Sequence, residues 1–393
     1  MGRIAAEIAR AGRVSAGRPR PHGPVTVDLG SEGPLGCSSV RLTAHVTAST
    51  TPPVLIVGAG LSGLVAANSL ASAGRACIVI DEGAVPGGRL STRVLGGPGR
   101  GRARLDDGAQ FFTVRSPDFA EIVHDWRRAG IVREWCRGFS AAGDGYPRYC
   151  AEAGMRTIGQ YLASSIDVRS GVVARAVAGH DGCLAVSAAD GTRWESNAVI
   201  LTPPVPYSLA LCDNGWLPVP DAALATLRAV RYAPCLALLL TLDGPSAVPY
   251  PGGLQLSAAD DGGMFTFVAD NGAKGISDVP ALTLHANDEI SAAHFDDDEN
   301  DLRALLLSAA APYLGAARVL DIAVTRWRCA RPTVGHPSHC LATEPIAGTT
   351  LVFTGDAFGD AKVEGAALSG LAAAEAILLA HSAAGVAPST PLF

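Results

Sequence analysis

Between Pro53 and Gly74 the chain carries no charged side chain. A run of that length and apolarity suggests a membrane span, but its glycines point to a different fold. Val54-Leu-Ile-Val57 is a short β-rich run ended by Gly58. Leu61 to Ala73 then sets Ala, Leu, Val and Ser at helical spacing, and Ala76 to Ile80 is a second β-rich run. Together they predict a β-α-β unit, whose strands are covered on both faces and are therefore continuously apolar rather than alternating. The apolar helix predicted from Glu364 to His381 is interrupted by Glu375, so no transmembrane segment is expected.

The turn between the first strand and the helix reads Gly58-Ala59-Gly60-Leu61-Ser62-Gly63. Its first glycine permits the tight turn, the second lets the backbone approach a pyrophosphate, and the third lets the helix pack on the strand. The helix start offers unpaired N–H groups and a positive dipole end to the phosphates. Twenty-three residues after Gly58 comes Asp81, with Glu82 beside it, where a carboxylate accepts hydrogen bonds from an adenosine ribose. These parts in register predict a dinucleotide site on an α/β, Rossmann-like domain with a parallel sheet.

Composition narrows the class. Lysine plus arginine is 31 against 37 acidic residues, a net charge of −6, and no clustered basic face is predicted, so no nucleic-acid partner is expected. The nine cysteines (37, 77, 136, 150, 183, 212, 235, 329 and 340) are widely spaced with no C-x-x-C pair, which fits a reducing, cytoplasmic setting better than a disulfide framework. Only Lys274 and Lys362 are lysines. The arginine bias is chain-wide, so a single arginine is weak evidence of a site. Residues 1–50 are rich in Arg, Gly and Pro without a period of 2 or 3.6, and are expected to form a disordered extension. Their arginine-rich start also admits a transit-peptide reading, although it lacks the apolar core of a secretory signal.

Three further blocks follow in order. They are Gly87-Gly88-Arg89-Leu90-Ser91-Thr92, then Asp106-Asp107-Gly108-Ala109-Gln110-Phe111-Phe112-Thr113, and finally Thr354-Gly355-Asp356-Ala357-Phe358-Gly359 followed by Lys362-Val363-Glu364-Gly365-Ala366. With the fingerprint, they resemble the flavin-containing amine oxidoreductase superfamily and, within it, the renalase-like oxidoreductases. The resemblance runs from residue 54 to about 380, dense in these blocks and thin between 205 and 325. It implies FAD, held non-covalently, with Ser62 and Arg89 at the phosphates and Gly88 at their turn. It also implies Ala109, Gln110 and Phe111 beside the isoalloxazine, and Val173, on the first strand of a β-meander, at the adenine. Gly355 and Asp356 would meet the ribityl and pyrophosphate part. The helix start at Glu364, Gly365 and Ala366 would meet the pyrimidine edge, where its dipole stabilises the negative charge of reduced flavin.

Helices are predicted at Phe119–Ala129 and Thr157–Ser164, and a meander at Val172–Val177, Cys183–Ala188 and Arg193–Trp194. A strand at Asn197–Thr202 is stopped by Pro203-Pro204. Beyond it lie a helix at Asp221–Val230, strands at Cys235–Leu242, Gly263–Val268 and Ala281–Ala286, a helix at Glu299–Leu314 and a strand at Thr350–Thr354. The expected organisation is a discontinuous FAD-binding domain from 51–115, 155–204 and 346–393, interwoven with a mixed α+β substrate domain from 116–154 and 205–345.

Phe265 to Gly275, Leu282-Thr-Leu-His285 and Trp327-Arg328 resemble the renalase-type substrate domain. They imply hydride transfer from a reduced nicotinamide nucleotide, notably the isomeric dihydronicotinamides, with dioxygen as reoxidant and hydrogen peroxide as product. Such transfer needs no general base, and no Ser-His-Asp or paired-carboxylate constellation is evident. The alternatives are a flavin amine oxidase or desaturase of the same superfamily, and a non-catalytic flavin-binding protein. His285 and Arg328 are the candidate substrate contacts, each with a bland reading as a core histidine and a salt-bridged arginine. Cys340 lacks the context of a flavin-linked cysteine. The spacing of Cys329, His336, His339 and Cys340 matches no zinc pattern, and Asp296 to Glu299 lacks the pattern of a calcium loop, so no metal is expected.

Overall fold

The computed structural model describes residues 52–96, 101–139, 144–257 and 263–385; the expected disorder of residues 1–50 lies outside them. Val54–Val57 is a central strand with all four side chains buried. A strand alternates its faces, so Val54 and Ile56 pack with Leu64, Ala67 and Leu70 of the helix Leu61–Ser72. Leu55 and Val57 pack on the other side with Val199, Leu201, Leu184 and Val186. Each such side chain contributes about 1.5–3 kcal/mol of burial, and neither face has a place for a polar residue.

The sheet runs Leu341–Thr343, Thr350–Phe353, Ala198–Leu201, Val54–Val57, Cys77–Asp81, Asp167–Ser170. Every pairing is parallel except that of the edge strand Leu341–Thr343. The meander is Ala174–His180, Cys183–Ala188 and Arg193–Ser196. It opens at Ala174 rather than Val172 because the two preceding residues are used otherwise: Val172 donates its N–H to the Asp81 carbonyl, and the Val173 carbonyl accepts from Ala189. Pro203 and Pro204 end the preceding strand as predicted, but they also open an unpredicted helix, Val205–Asn214, with Pro204 at its N-cap. Proline fits a helix start, where its missing N–H would be unpaired anyway.

The second sheet is antiparallel, in the order Gly253–Gln255, Phe265–Asp270, Ala281–Ala286, Arg231–Leu242, Val319–Val334. Leu236, Leu238, Leu240 and Leu242 cover the helix Glu299–Leu314 at Leu302, Leu306, Ala310 and Tyr313. The alternate residues face the opposite way. There Leu239, Ala281 and Ala323 bury Ala103 and Leu105 of a hairpin formed by Thr92–Leu95 and Ala103–Asp106, and His285 lies level with Ala237 and Phe267 in its neighbouring strands.

The closing helix, Val363–Gly385, contains a stretch, Val363–Ser382, that is long and apolar enough to cross a membrane despite Glu375. That corrects the expectation that Glu375 disqualifies it. Half of the stretch is buried inside the protein, and Gly370 packs directly on the backbone of Ser62, which accounts for its apolarity without a membrane.

Candidate functional site

The fingerprint glycines have different physical reasons to be glycine. Gly58 has φ +104°, and a Cβ there would lie 2.1 Å from the Thr202 hydroxyl; a Cβ on Gly63 would lie 2.1 Å from the Gly58 carbonyl. Both are demanded by the fold. Gly60 is not: its φ of −73° suits any residue, and a Cβ would meet nothing within 4 Å. The open space lies at the start of the helix Leu61–Ser72, which has no side-chain cap and no acidic residue in its first turn. Its first amides, including those of Leu61 and Ser62, therefore have no partner inside the helix. A second glycine turn seals the edge of this space. Gly87 bridges to Gly60 and donates to the Ala59 carbonyl at 2.9 Å, and Gly88, at φ +56°, sits with its Cβ position 3.2 Å from the Gly60 Cα. Bare backbone around an electropositive helix start fits a pyrophosphate.

Asp81 is turned back onto this loop. Its Oδ2 accepts from the Ala59 N–H at 2.6 Å and its Oδ1 from Gly83 at 2.8 Å, so it braces the turn that it was expected to serve only as a ribose acceptor. Glu82 beside it is exposed.

Arg89 and Asp356 stand 267 residues apart and meet in a two-pronged pair, each contact 2.6 Å. Arg89 also donates to the carbonyls of Cys329 and Ala330 at 3.0 and 3.2 Å. Burial opposes the Arg89 charge, but the Asp356 carboxylate outweighs it and raises the guanidinium above its usual value. Arg89 thus ties its own block to the block of Asp356 and to the strand Val319–Val334. The Ser62 hydroxyl is likewise engaged, 3.0 Å from Thr354 Oγ1, and Thr354 and Ser369 share a further hydrogen bond whose hydroxyl also receives the Gly355 N–H at 2.9 Å.

Three contacts define the start of the closing helix. Glu364 accepts from the N–H groups of Ser116 at 2.7 Å and Arg115 at 3.1 Å, just before the helix Pro117–Arg128, and so serves as a tie between helices. Gly365 is glycine because a Cβ would collide with the Asp360 carbonyl. Ala366 already donates to the Lys362 carbonyl at 3.0 Å, so any unpaired N–H groups here precede it. Val173 has its carbonyl taken by Ala189 and stands just ahead of the meander strand.

Gln110 and Phe111 belong to the third block. The Arg89 carbonyl accepts from the Ala109 N–H at 3.0 Å, which joins the second and third blocks. Gln110 is 5 % exposed. Its Nε2 donates to the carbonyls of Asp106 at 2.5 Å and Gly108 at 3.1 Å, and lies 3.4 Å from His285 Nε2. Two carbonyls fix the orientation of the amide, and its Oε1 is buried without a partner. An orphaned acceptor in such a place calls for an N–H donor, and a flavin ring supplies N–H groups. Phe111 joins Trp135, Phe139 and Phe267 in a cluster whose centroids are 5.0 to 6.5 Å apart.

His285 lies on the face of the sheet opposite the leucine core, level with Phe267 of this cluster. Burial, and then the charge of Lys274, push its pKa down to about 4, so the ring is neutral near pH 7. Arg328 is not at this face. It pairs with Asp296 at 2.7 Å, lies 4.2 Å over the Phe295 ring and is largely exposed, so the salt-bridge reading holds. The sequence reasoning missed Asp106 and Trp135 as parts of the site and left Lys274 unassigned within its segment. Lys274 is wholly buried against Asp106 at 2.7 Å; a lysine in a chain that otherwise uses arginine was the available signal.

Residues 56–126 match the NAD(P)-binding Rossmann-like domain, and residues 118–378 match the flavin-containing amine oxidoreductase family. Among solved structures, putrescine oxidase bound to putrescine is 17% identical, with a TM-score of 0.56, covering 84% of this chain and 99% of its own. A putative protoporphyrinogen oxidase from Exiguobacterium sp. 255-15 is 12% identical with a TM-score of 0.63 and the same coverage. At these identities the likeness is one of fold. The family match covers most of the chain and agrees with the glycine cradle and the orphaned acceptor: this protein belongs to the flavin-containing amine oxidoreductase family and is an FAD-dependent oxidoreductase.

Proposed function

We propose that the chain is a renalase-like oxidase of dihydronicotinamide nucleotides, with FAD held non-covalently between the Gly60–Gly88 cradle and the Gln110–Phe111 face. FAD held there would supply a two-electron acceptor for a hydride from the dihydropyridine C–H, and dioxygen with one proton would carry that hydride equivalent away as hydrogen peroxide. The observation that carries the substrate reading is the aromatic face and what backs it. Lys274 Nζ lies 5.0 Å from the Trp135 ring and the Arg148 guanidinium 5.6 Å from the Phe139 ring. The Asp106 carboxylate is neutralised by Lys274, and His285 is uncharged. Both cations are ion-paired, Lys274 with Asp106 and Arg148 with Asp144, so the face is flat, aromatic and close to neutral, which suits stacking of a planar dihydropyridine ring. His285 lacks the pKa of a base working near neutrality, which agrees with a hydride transfer that requires none.

Cys340 supports non-covalent attachment, since it packs against the core and burial raises its thiol. An amine substrate is the second reading, favoured by the fold shared with putrescine oxidase. Anaerobic mixing of the yellow protein with the separate dihydronicotinamide isomers and with a panel of amines decides. Rapid bleaching by a dihydronicotinamide isomer is expected; bleaching by an amine alone, or by nothing, overturns the proposal.

A further inference from the structure

We propose that the buried Asp106–Lys274 ion pair is the positioning device of the flavin face, holding the Gln110 amide so that its unengaged oxygen is offered to an N–H of the bound isoalloxazine. The inference rests on the placement of the ring at Gln110 given above.

Both members of the pair have side chains with no solvent exposure. Asp106 is held from several directions: its Oδ1 accepts from Thr92 Oγ1 at 2.6 Å and from the Met155 N–H at 2.8 Å, its Oδ2 accepts from Lys274 at 2.7 Å, and its own N–H donates to Asn271 Oδ1 at 3.3 Å. The carbonyl of this immobilised residue receives Gln110 Nε2. Lys274 follows the strand Phe265–Asp270, whereas Asp106 ends a hairpin strand, so the pair fixes the antiparallel sheet to the segment that carries Gln110. A buried ion pair is weak evidence of stability, because desolvation offsets the attraction, and a well-packed apolar pair is often as stable. What it supplies is direction. With the ammonium and Trp135 on one side and the Thr92 hydroxyl and Met155 N–H on the other, the Asp106 backbone has one arrangement, and therefore so does the amide it anchors.

The test is a double-mutant cycle read by FAD titration of apoprotein and by the visible flavin spectrum. Gln110→Leu removes the acceptor and is expected to weaken FAD about tenfold. Asp106→Asn with Lys274→Met removes both charges together, so that neither is left buried alone. That double variant is expected to bind FAD about tenfold more weakly and to alter the spectrum in the same sense. Adding Gln110→Leu to it should change nothing further, since interactions through one anchor are not additive. The proposal is overturned if the charge-free variant binds FAD within twofold of wild type with an unchanged spectrum and loses only melting temperature, or if the two effects multiply to about a hundredfold. Should the charge-free variant not fold, Gln110→Leu alone decides against the proposal if affinity and spectrum are unchanged. Gly60→Val separates the two readings: a Gly60→Val protein still fully loaded with FAD means that the site is misplaced, whereas one that has lost FAD beside an unaffected charge-free variant overturns the positioning role alone.

Discussion

Gly60 separates a glycine needed for folding from one needed for a ligand. In Gly60→Ala the new methyl meets no atom within 4 Å and the backbone is already in an extended conformation open to alanine. Two small effects on stability oppose each other. Alanine restricts the unfolded chain, worth about 0.4–1 kcal/mol in favour of folding, while alanine is a poorer N-cap than glycine by about 0.5–1 kcal/mol. Net stability should therefore stay within about 0.5 kcal/mol of wild type. Binding should not. A methyl in the cradle holds a pyrophosphate away from the amides at the helix start, and losing one or two charge-assisted hydrogen bonds at about 1.5–3 kcal/mol each weakens FAD by about ten- to a thousandfold or more. Urea unfolding of the apoproteins gives the first quantity and fluorescence titration with FAD gives the second. Equal FAD affinity in Gly60→Ala and wild type would refute the cradle; a large loss of apoprotein stability would show that Gly60 serves the fold after all.

Three other perturbations test separate contacts. Gly370→Ala drives a methyl to 2.3 Å from the Ser62 carbonyl, so, unlike Gly60→Ala, it should destabilise the apoprotein by about 1–3 kcal/mol; unchanged urea unfolding would sink the assigned helix packing. Arg89→Ala leaves Asp356 unpaired at 14% side-chain exposure and should cost about 2 kcal/mol, partly recovered by adding Asp356→Asn; strictly additive losses would mean that the pair contributes nothing. The pKa of His285 lies below its unfolded value, so the native state resists protonation. Its share of stability is complete above about pH 6.5 and is lost as pH falls toward 4, by at most about 3 kcal/mol. His285→Gln should flatten that part of the stability-versus-pH curve, and an unchanged slope would place the ring in solvent.

The nucleotide half was readable because its signals are local. Val54–Val57 was found to the residue, and the fingerprint sits where a strand meets a helix, since glycine turns and doubly buried strands are encoded within a few residues. The 16-residue strand Val319–Val334 was overlooked because Arg326, Arg328 and Arg331 interrupt it; each is paired across the surface, with Glu299, Asp296 and Asp288, which a linear pattern does not reveal. Val205–Asn214 was overlooked because two prolines read as a stop without being read as a start. At the site, the blocks were visible but the partners were not: that Arg89 finds Asp356, and that Lys274 finds Asp106, follows only from tertiary closure.

The order of strands in the parallel sheet sets a timetable for synthesis. Ala198–Leu201 lies between Val54–Val57 and Thr350–Phe353, and the first glycine-rich helix packs against the last helix of the sheet domain. During translation the sheet begun by the β-α-β unit must therefore wait, the apolar edge of Ala198–Leu201 unpaired, until Thr350–Phe353 has left the ribosome. Contacts so distant in sequence close slowly, and the waiting edge invites association with other nascent chains. Coenzyme capture thus becomes a late event in biogenesis, and a ribosome that stalls before Thr350 would release a product whose yellow colour can never develop.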